Sequence, residues 1–122
     1  PGGGATQRLT ALVGRATAKR LIWGGAQIDA AEALRLGLAD EVVPDDELLH
    51  RALALGAEYA AGPRLAIRAA KRAIDEGVDL PWPTGIDLEL DLFLEVFETE
   101  DARRGVESFF EHGPGKATFE GR

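Results

Sequence analysis

The sequence predicts a mainly α protein of about six helices, and three features predict it. Glycine and proline break the chain repeatedly, at Gly24-Gly25, Gly37, Gly62-Pro63 and between Gly77 and Pro81. Between those breaks most apolar residues recur at helical rather than alternating spacing. Acids gather at the starts of segments, where the positive end of a helix dipole favours them. At 122 residues, 45% hydrophobic and 29% charged, the chain has ordinary globular usage, and one compact unit burying roughly two-thirds of its unfolded surface is expected.

The elements follow in order. "PGGGATQRL" sets three glycines, Gly2 to Gly4, after Pro1. Such clusters suit a sharp turn or a close approach of backbone N–H groups to a ligand. "GRATAKRLIWGG" puts Ala16, Leu21 and Ile22 among good helix formers and stops at Gly24-Gly25. In "IDAAEALRLGL", Asp29 followed by Glu32 resembles a capping box with Asp in the Ser/Thr place, Ala30 to Leu36 reads as a short helix, and Gly37 supplies the positive-φ stop. The cap is worth about 1 kcal/mol. "LADEVVP" reads as an extended connector, at most a vestigial strand near Val42, because Pro44 pushes Val43 out of the α region.

"DDELLHRALALGAEYAAGP" opens on acids and spaces Leu48, Leu49, Ala52, Leu53 and Ala57 helically toward Gly62-Pro63. "PRLAIRAAKRAIDEG" repeats the pattern, with Pro63 near the first helical position, a small-residue face and Gly77 as the stop. The prolines flanking Trp82 predict a loop over 77–83. "IDLELDLFLEVF", 86–97, conflicts with itself: Ile86, Leu88, Leu90 and Leu92 alternate as in a strand, yet Leu and Glu favour helix and the run is too long for a typical strand. Read as a helix, it carries Ile86, Leu90, Phe93 and Phe97 on one face and Leu88, Leu92 and Val96 near another, so it wants two partners. A last helix follows Thr99, and "PGKATFEGR" is an irregular tail.

Composition excludes several chemistries. The chain has no cysteine and only His50 and His112, so thiol sites, disulfides and a histidine-rich metal centre are not expected. A formal charge of −7 opposes nucleic-acid binding, no apolar run approaches a membrane span, and the start has no signal-peptide pattern, so a cytoplasmic setting is expected. Ser108 is the only serine and falls on a predicted helix, which leaves a serine triad little to work with. "GPGKAT" fails the phosphate-loop pattern at Phe110 and Ala117, and "GGGATQ" fails the dinucleotide fingerprint at Gln7. A chain without methionine that starts at Pro1 is expected to be a piece of a longer protein or a mature domain after tag removal.

Three segments carry a resemblance: "PGGGATQRL", "IDAAEALRLGLADEVVP" and "FETEDARRGVESFFE", in this order and with a closing "FEGR". They resemble the C-terminal part of the crotonase superfamily, the enoyl-CoA hydratases and isomerases, over nearly the whole chain. The resemblance implies one helical unit, 1–122, with 1–44 as the end of the α/β spiral core and 45–122 as the C-terminal helical, trimerisation region. It implies chemistry on acyl-CoA thioesters, most simply hydration of 2-enoyl-CoA, with acyl-CoA as substrate and no further cofactor or metal. The implied partners are the protein's own N-terminal domain and like subunits in a homotrimer or dimer of trimers, with no nucleic acid or membrane.

Residue by residue, the backbone N–H of Gly2 matches the group that helps hold the attacking water. The family's glutamates and both oxyanion-hole donors match positions upstream of Pro1, so the isolated chain is expected to be inactive. Phe93 matches the aromatic beside the adenine of CoA, with core packing as its other open role. The tail departs from the family: "FFEHGPGKATF" stands where a Lys/Arg-rich run is usual, leaving Lys116 or His112 as stand-ins for the phosphate contact. Two other readings need no resemblance. A stand-alone acidic helical adaptor would use the doubly apolar 86–97 helix, and a regulatory anion-binding module would use "PGGG" and the tail lysine.

Overall fold

A computed structural model of the chain describes residues 2–122, and Pro1, the first residue of the glycine-rich opening, lies outside them. The described residues form six helices: α1 (Ala5–Gly24), α2 (Ala30–Arg35), α3 (Leu48–Ala61), α4 (Arg64–Gly77), α5 (Trp82–Phe97) and α6 (Glu100–His112). They contain no strand, so the vestigial strand considered near Val42 does not form. The chain divides into two compact units between Leu48 and Leu49, where the sequence suggested one unit with an internal boundary after Pro44.

The first unit is shaped by local backbone signals. Gly3 and Gly4 adopt φ values of 63° and 82°, which a side chain would resist. They turn the chain so that the Gly4 carbonyl accepts from Arg8 N–H at 2.9 Å and starts α1. Inside α1, Gly14 sits at φ 76°, ψ 163° and breaks the helix into two pieces, a kink the sequence reading did not anticipate. Gly25 ends α1 as expected, in the left-handed region with its N–H on the Leu21 carbonyl. Asp29 caps α2, its carboxylate accepting from Glu32 N–H at 2.8 Å. The reciprocal half of the capping box is not made, because the Glu32 carboxylate turns to Arg35 at 2.6 Å. That guanidinium holds the Glu32 carboxyl below its usual range. Gly37, at φ 73°, is the stop for α2.

The second unit is built by packing. α4 lies along α5, and α5 touches α6. The 86–97 conflict resolves as helix, and α5 starts at Trp82, earlier than the loop expected over 77–83. The reason is positional: Pro83 falls in the first turn, where its missing N–H would have no intrahelical partner. Gly77 and Gly85 let the end of α4 approach the start of α5, and a Cβ placed on Gly85 would come within 3.0 Å of the Gly77 carbonyl oxygen. The face of α5 bearing Leu88, Leu92 and Val96 is the covered one, with Leu92 3% exposed. The face bearing Ile86, Leu90, Phe93 and Phe97 remains open. Thr99 caps α6, its hydroxyl accepting from Ala102 N–H at 3.1 Å. Among the described residues no helix is long and apolar enough to cross a membrane.

Candidate functional site

The residues singled out from the sequence fall in three places. Gly2 belongs to the first unit, is exposed, and turns its carbonyl toward Ala5 N–H at 3.2 Å. Space around it is open, with nothing within 4 Å of where a Cβ would stand.

Phe93 lines an apolar groove of about 360 Å³ between α4 and α5, whose floor is Ala66, Ala69, Ala73 and Leu92. Alanines on α4 keep its surface low, so the groove exists because small side chains face a large ring. The Phe93 ring is 55% exposed and tilts against Phe97 with centroids 5.0 Å apart. More than half of the Phe93 side chain is thus left uncovered within this unit.

Lys116 lines a different hollow, about 570 Å³, between one face of α6 and the returning tail. Arg104, Ser108 and His112 line the helix side, Lys116 and Thr118 the tail side, and Glu107 and Glu111 add negative charge. Lys116 is exposed and has no ion-pair partner among the described residues. Neither hollow shares a lining residue with the other, so the chain does not bring Phe93 and Lys116 into one pocket. No group of His, Asp and Glu suited to a metal ion occurs among the described residues.

The sequence reading missed what holds the tail. Asp101, which in the sequence is one acid among several at a helix start, is 3% exposed. Its carboxylate accepts from Glu120 N–H at 2.9 Å and Gly121 N–H at 2.7 Å, and its own N–H donates to the Arg122 carbonyl at 2.9 Å. The Glu120 N–H chiefly, helped by that of Gly121, holds the Asp101 carboxyl below the usual range against the upward push of burial. The stability this lends is present above the ordinary carboxylate pKa and is lost as pH falls through the lowered one. Around the clasp, Arg104 pairs with Glu120, Arg122 reaches Glu100 at 3.2 Å, and Arg64 donates to the Glu120 carbonyl at 2.8 Å. No local signal marks Asp101, because its partners lie nineteen and twenty residues away.

Comparison with known proteins gives this arrangement a family. The sequence pattern of the family described as enoyl-CoA hydratase/isomerase matches residues 1–122. The chain is 45% identical over 109 residues to a short-chain-enoyl-CoA hydratase of Clostridioides difficile, covering 89% of this chain and 70% of that one. It is 37% identical over 111 residues to a crotonyl-CoA hydratase of Syntrophomonas wolfei, covering 91% of this chain and 43% of that one. Among solved structures, an enoyl-CoA hydratase subunit of Geobacillus kaustophilus superposes with a TM-score of 0.92 at 37% identity, covering all (100%) of this chain and 47% of its own. An enoyl-CoA hydratase of Bacillus anthracis superposes at 0.89 with 35% identity, covering 100% and 46%. The chain thus spans less than half the length of both structural relatives. Six helices without a strand are the helical portion of the crotonase fold, and with the family pattern running from the first residue to the last, the chain belongs to the enoyl-CoA hydratase/isomerase family of the crotonase superfamily.

Proposed function

We propose that this chain is the C-terminal part of an enoyl-CoA hydratase that adds water across the double bond of 2-enoyl-CoA thioesters. The observation that carries the reading is the family match over 1–122, together with relatives named for short-chain-enoyl-CoA and crotonyl-CoA hydration. Water addition to an α,β-unsaturated thioester builds negative charge on the thioester oxygen. Two fixed backbone donors stabilise that enolate, each contributing about 10²–10³ in rate, and carboxylates move the protons. Those groups belong to sequence outside 1–122. The share of this chain is to offer the Gly2 N–H to the attacking water, Phe93 to the adenine of CoA and Lys116 to its phosphates. Isomerisation would use the same enolate with different proton traffic, and acyl-CoA is the substrate, with no separate cofactor assigned.

The open face of α5, with Leu90 53% and Phe97 58% exposed, supports self-association into trimers or dimers of trimers and docking to the protein's own N-terminal domain. The same face would suit a stand-alone helical adaptor, which is the second reading. We place the protein in the cytoplasm. One assay separates the readings: crotonyl-CoA is offered to residues 1–122 and to the longer enzyme that contains them. Hydration by the longer protein alone is the expected result. Turnover by 1–122, or none by either, overturns the proposal, and the latter together with monodisperse monomeric 1–122 in sedimentation favours the adaptor.

A further inference from the structure

The tail after α6 has no regular structure of its own, yet it forms one wall of the hollow that holds Lys116. Its course is fixed at Gly113 and at the start of α6, where Arg64, Arg104 and Arg122 join Asp101 in holding it. Gly113, at φ 83°, turns the chain back at the end of α6, and the Asp101 carboxylate grips the N–H groups of Glu120 and Gly121 at the helix start. Phe119 lies between, its ring 3.6 Å from where a Cβ on Gly105 would stand. From Asp101 to His112 the helix rises roughly 16 Å at 1.5 Å per residue. The stretch from Gly113 to Glu120 could reach about 26 Å at 3.3 Å per residue. Released at its far end, the segment could swing about Gly113 over much of that reach, and the exposed, unpaired Lys116 would no longer face the hollow in one position.

We propose that Asp101 is a positioning residue: by pinning Glu120 and Gly121 it fixes the Lys116 segment against α6 and so sets how strongly the enzyme holds the phosphate-bearing end of an acyl-CoA. This rests on the reading of Lys116 as a phosphate contact. The group acts through the tail and touches no substrate atom. Buried carboxylates that accept two backbone N–H groups are geometrically exacting, and an amide at this position supplies one acceptor oxygen where two are needed. Glu107 and Glu111 in the same hollow oppose an anion, which keeps the expected effect modest.

The test uses the full-length enzyme with crotonyl-CoA and with crotonyl-pantetheine, which carries the same thioester without the phosphates. Asp101→Asn is expected to raise KM for crotonyl-CoA about two- to fivefold, the size of a screened surface charge contact, with kcat unchanged and KM for the pantetheine thioester unchanged. Combined with Lys116→Ala it should add nothing to the effect of Lys116→Ala alone. Should Asp101→Asn fail to fold, deletion of 119–122 removes what the carboxylate holds and should give the same split between the two substrates. An unchanged KM for crotonyl-CoA in both variants, or an equal rise for both substrates, overturns the positioning role. Lys116→Ala with unchanged KM overturns the phosphate contact itself, and with it this proposal, even if hydration proceeds.

Discussion

The unit ending at Leu48 and the unit beginning at Leu49 are built on different principles. In the first, glycines at positive φ and an aspartate cap set where each helix starts, bends and stops, and Ala18 is its single buried apolar residue among those described. In the second, contacts between residues far apart in sequence decide the shape: Gly77 against Gly85, Leu92 between α4 and α5, Asp101 on the tail. Backbone signals need only a few neighbours to act. Packing signals act only once the partner has arrived.

The largest effect of a single substitution falls in the second unit. Leu92→Ala removes its one buried large apolar side chain and is expected to cost about 2–5 kcal/mol. The value should lie at the low end, since the groove beside Leu92 already opens to solvent. Hydrogen exchange resolved by segment should speed up across α4 and α5 together. Acceleration confined to the α5 turn around Leu92 would show that the two helices are not one cooperative unit.

The same change made at two glycines sharpens the comparison. Gly14→Ala meets nothing within 4 Å, so its cost is purely conformational: φ 76° with ψ 163° is a region open almost only to glycine, and roughly 1–3 kcal/mol is expected. Gly85→Ala sits in helix, where alanine would gain about 1 kcal/mol by propensity, but the new methyl presses on the Gly77 carbonyl oxygen, for a net loss of about 1 kcal/mol. Exchange should rise in α1 alone for the first and in both α4 and α5 for the second. A stabilised Gly85→Ala protein would mean that the two helices slide apart at no cost.

That division also explains what could be read from the sequence. Asp29, Gly25, Gly37 and Thr99 were legible because each acts on a backbone group within four residues of itself. Gly14 was not, since an isolated glycine among helix formers looks the same whether the helix runs through it or breaks at it. The helical state of 86–97 could be weighed from length and propensity, but which apolar face is covered depends on α4, which periodicity alone does not reveal. The CoA-binding roles of Phe93 and Lys116 could be named only through resemblance. Asp101 escaped altogether, because a solvated helix-start acid and a buried clasp have the same local sequence.

A stability effect as small as that of Gly85→Ala is expected at Phe93, and it is the one that separates function from packing. The ring is 55% exposed and its main described partner is Phe97, so Phe93→Ala should cost only about 0.5–1.5 kcal/mol of pairing energy. Leu92, its neighbour in sequence, points into the helix pair and should cost several times more. In the full-length enzyme, stacking on adenine would forfeit about 1–3 kcal/mol on loss of the ring, by analogy with base–aromatic stacking, and this would appear as a raised KM for crotonyl-CoA. KM for crotonyl-pantetheine, which has no adenine, should stay level, and the melting temperature should fall by only a few degrees. Phe93→Leu keeps apolar bulk without a π face, so it should restore any lost packing but leave KM high. A large fall in melting temperature with KM unchanged would instead assign Phe93 to the same packing role as Leu92.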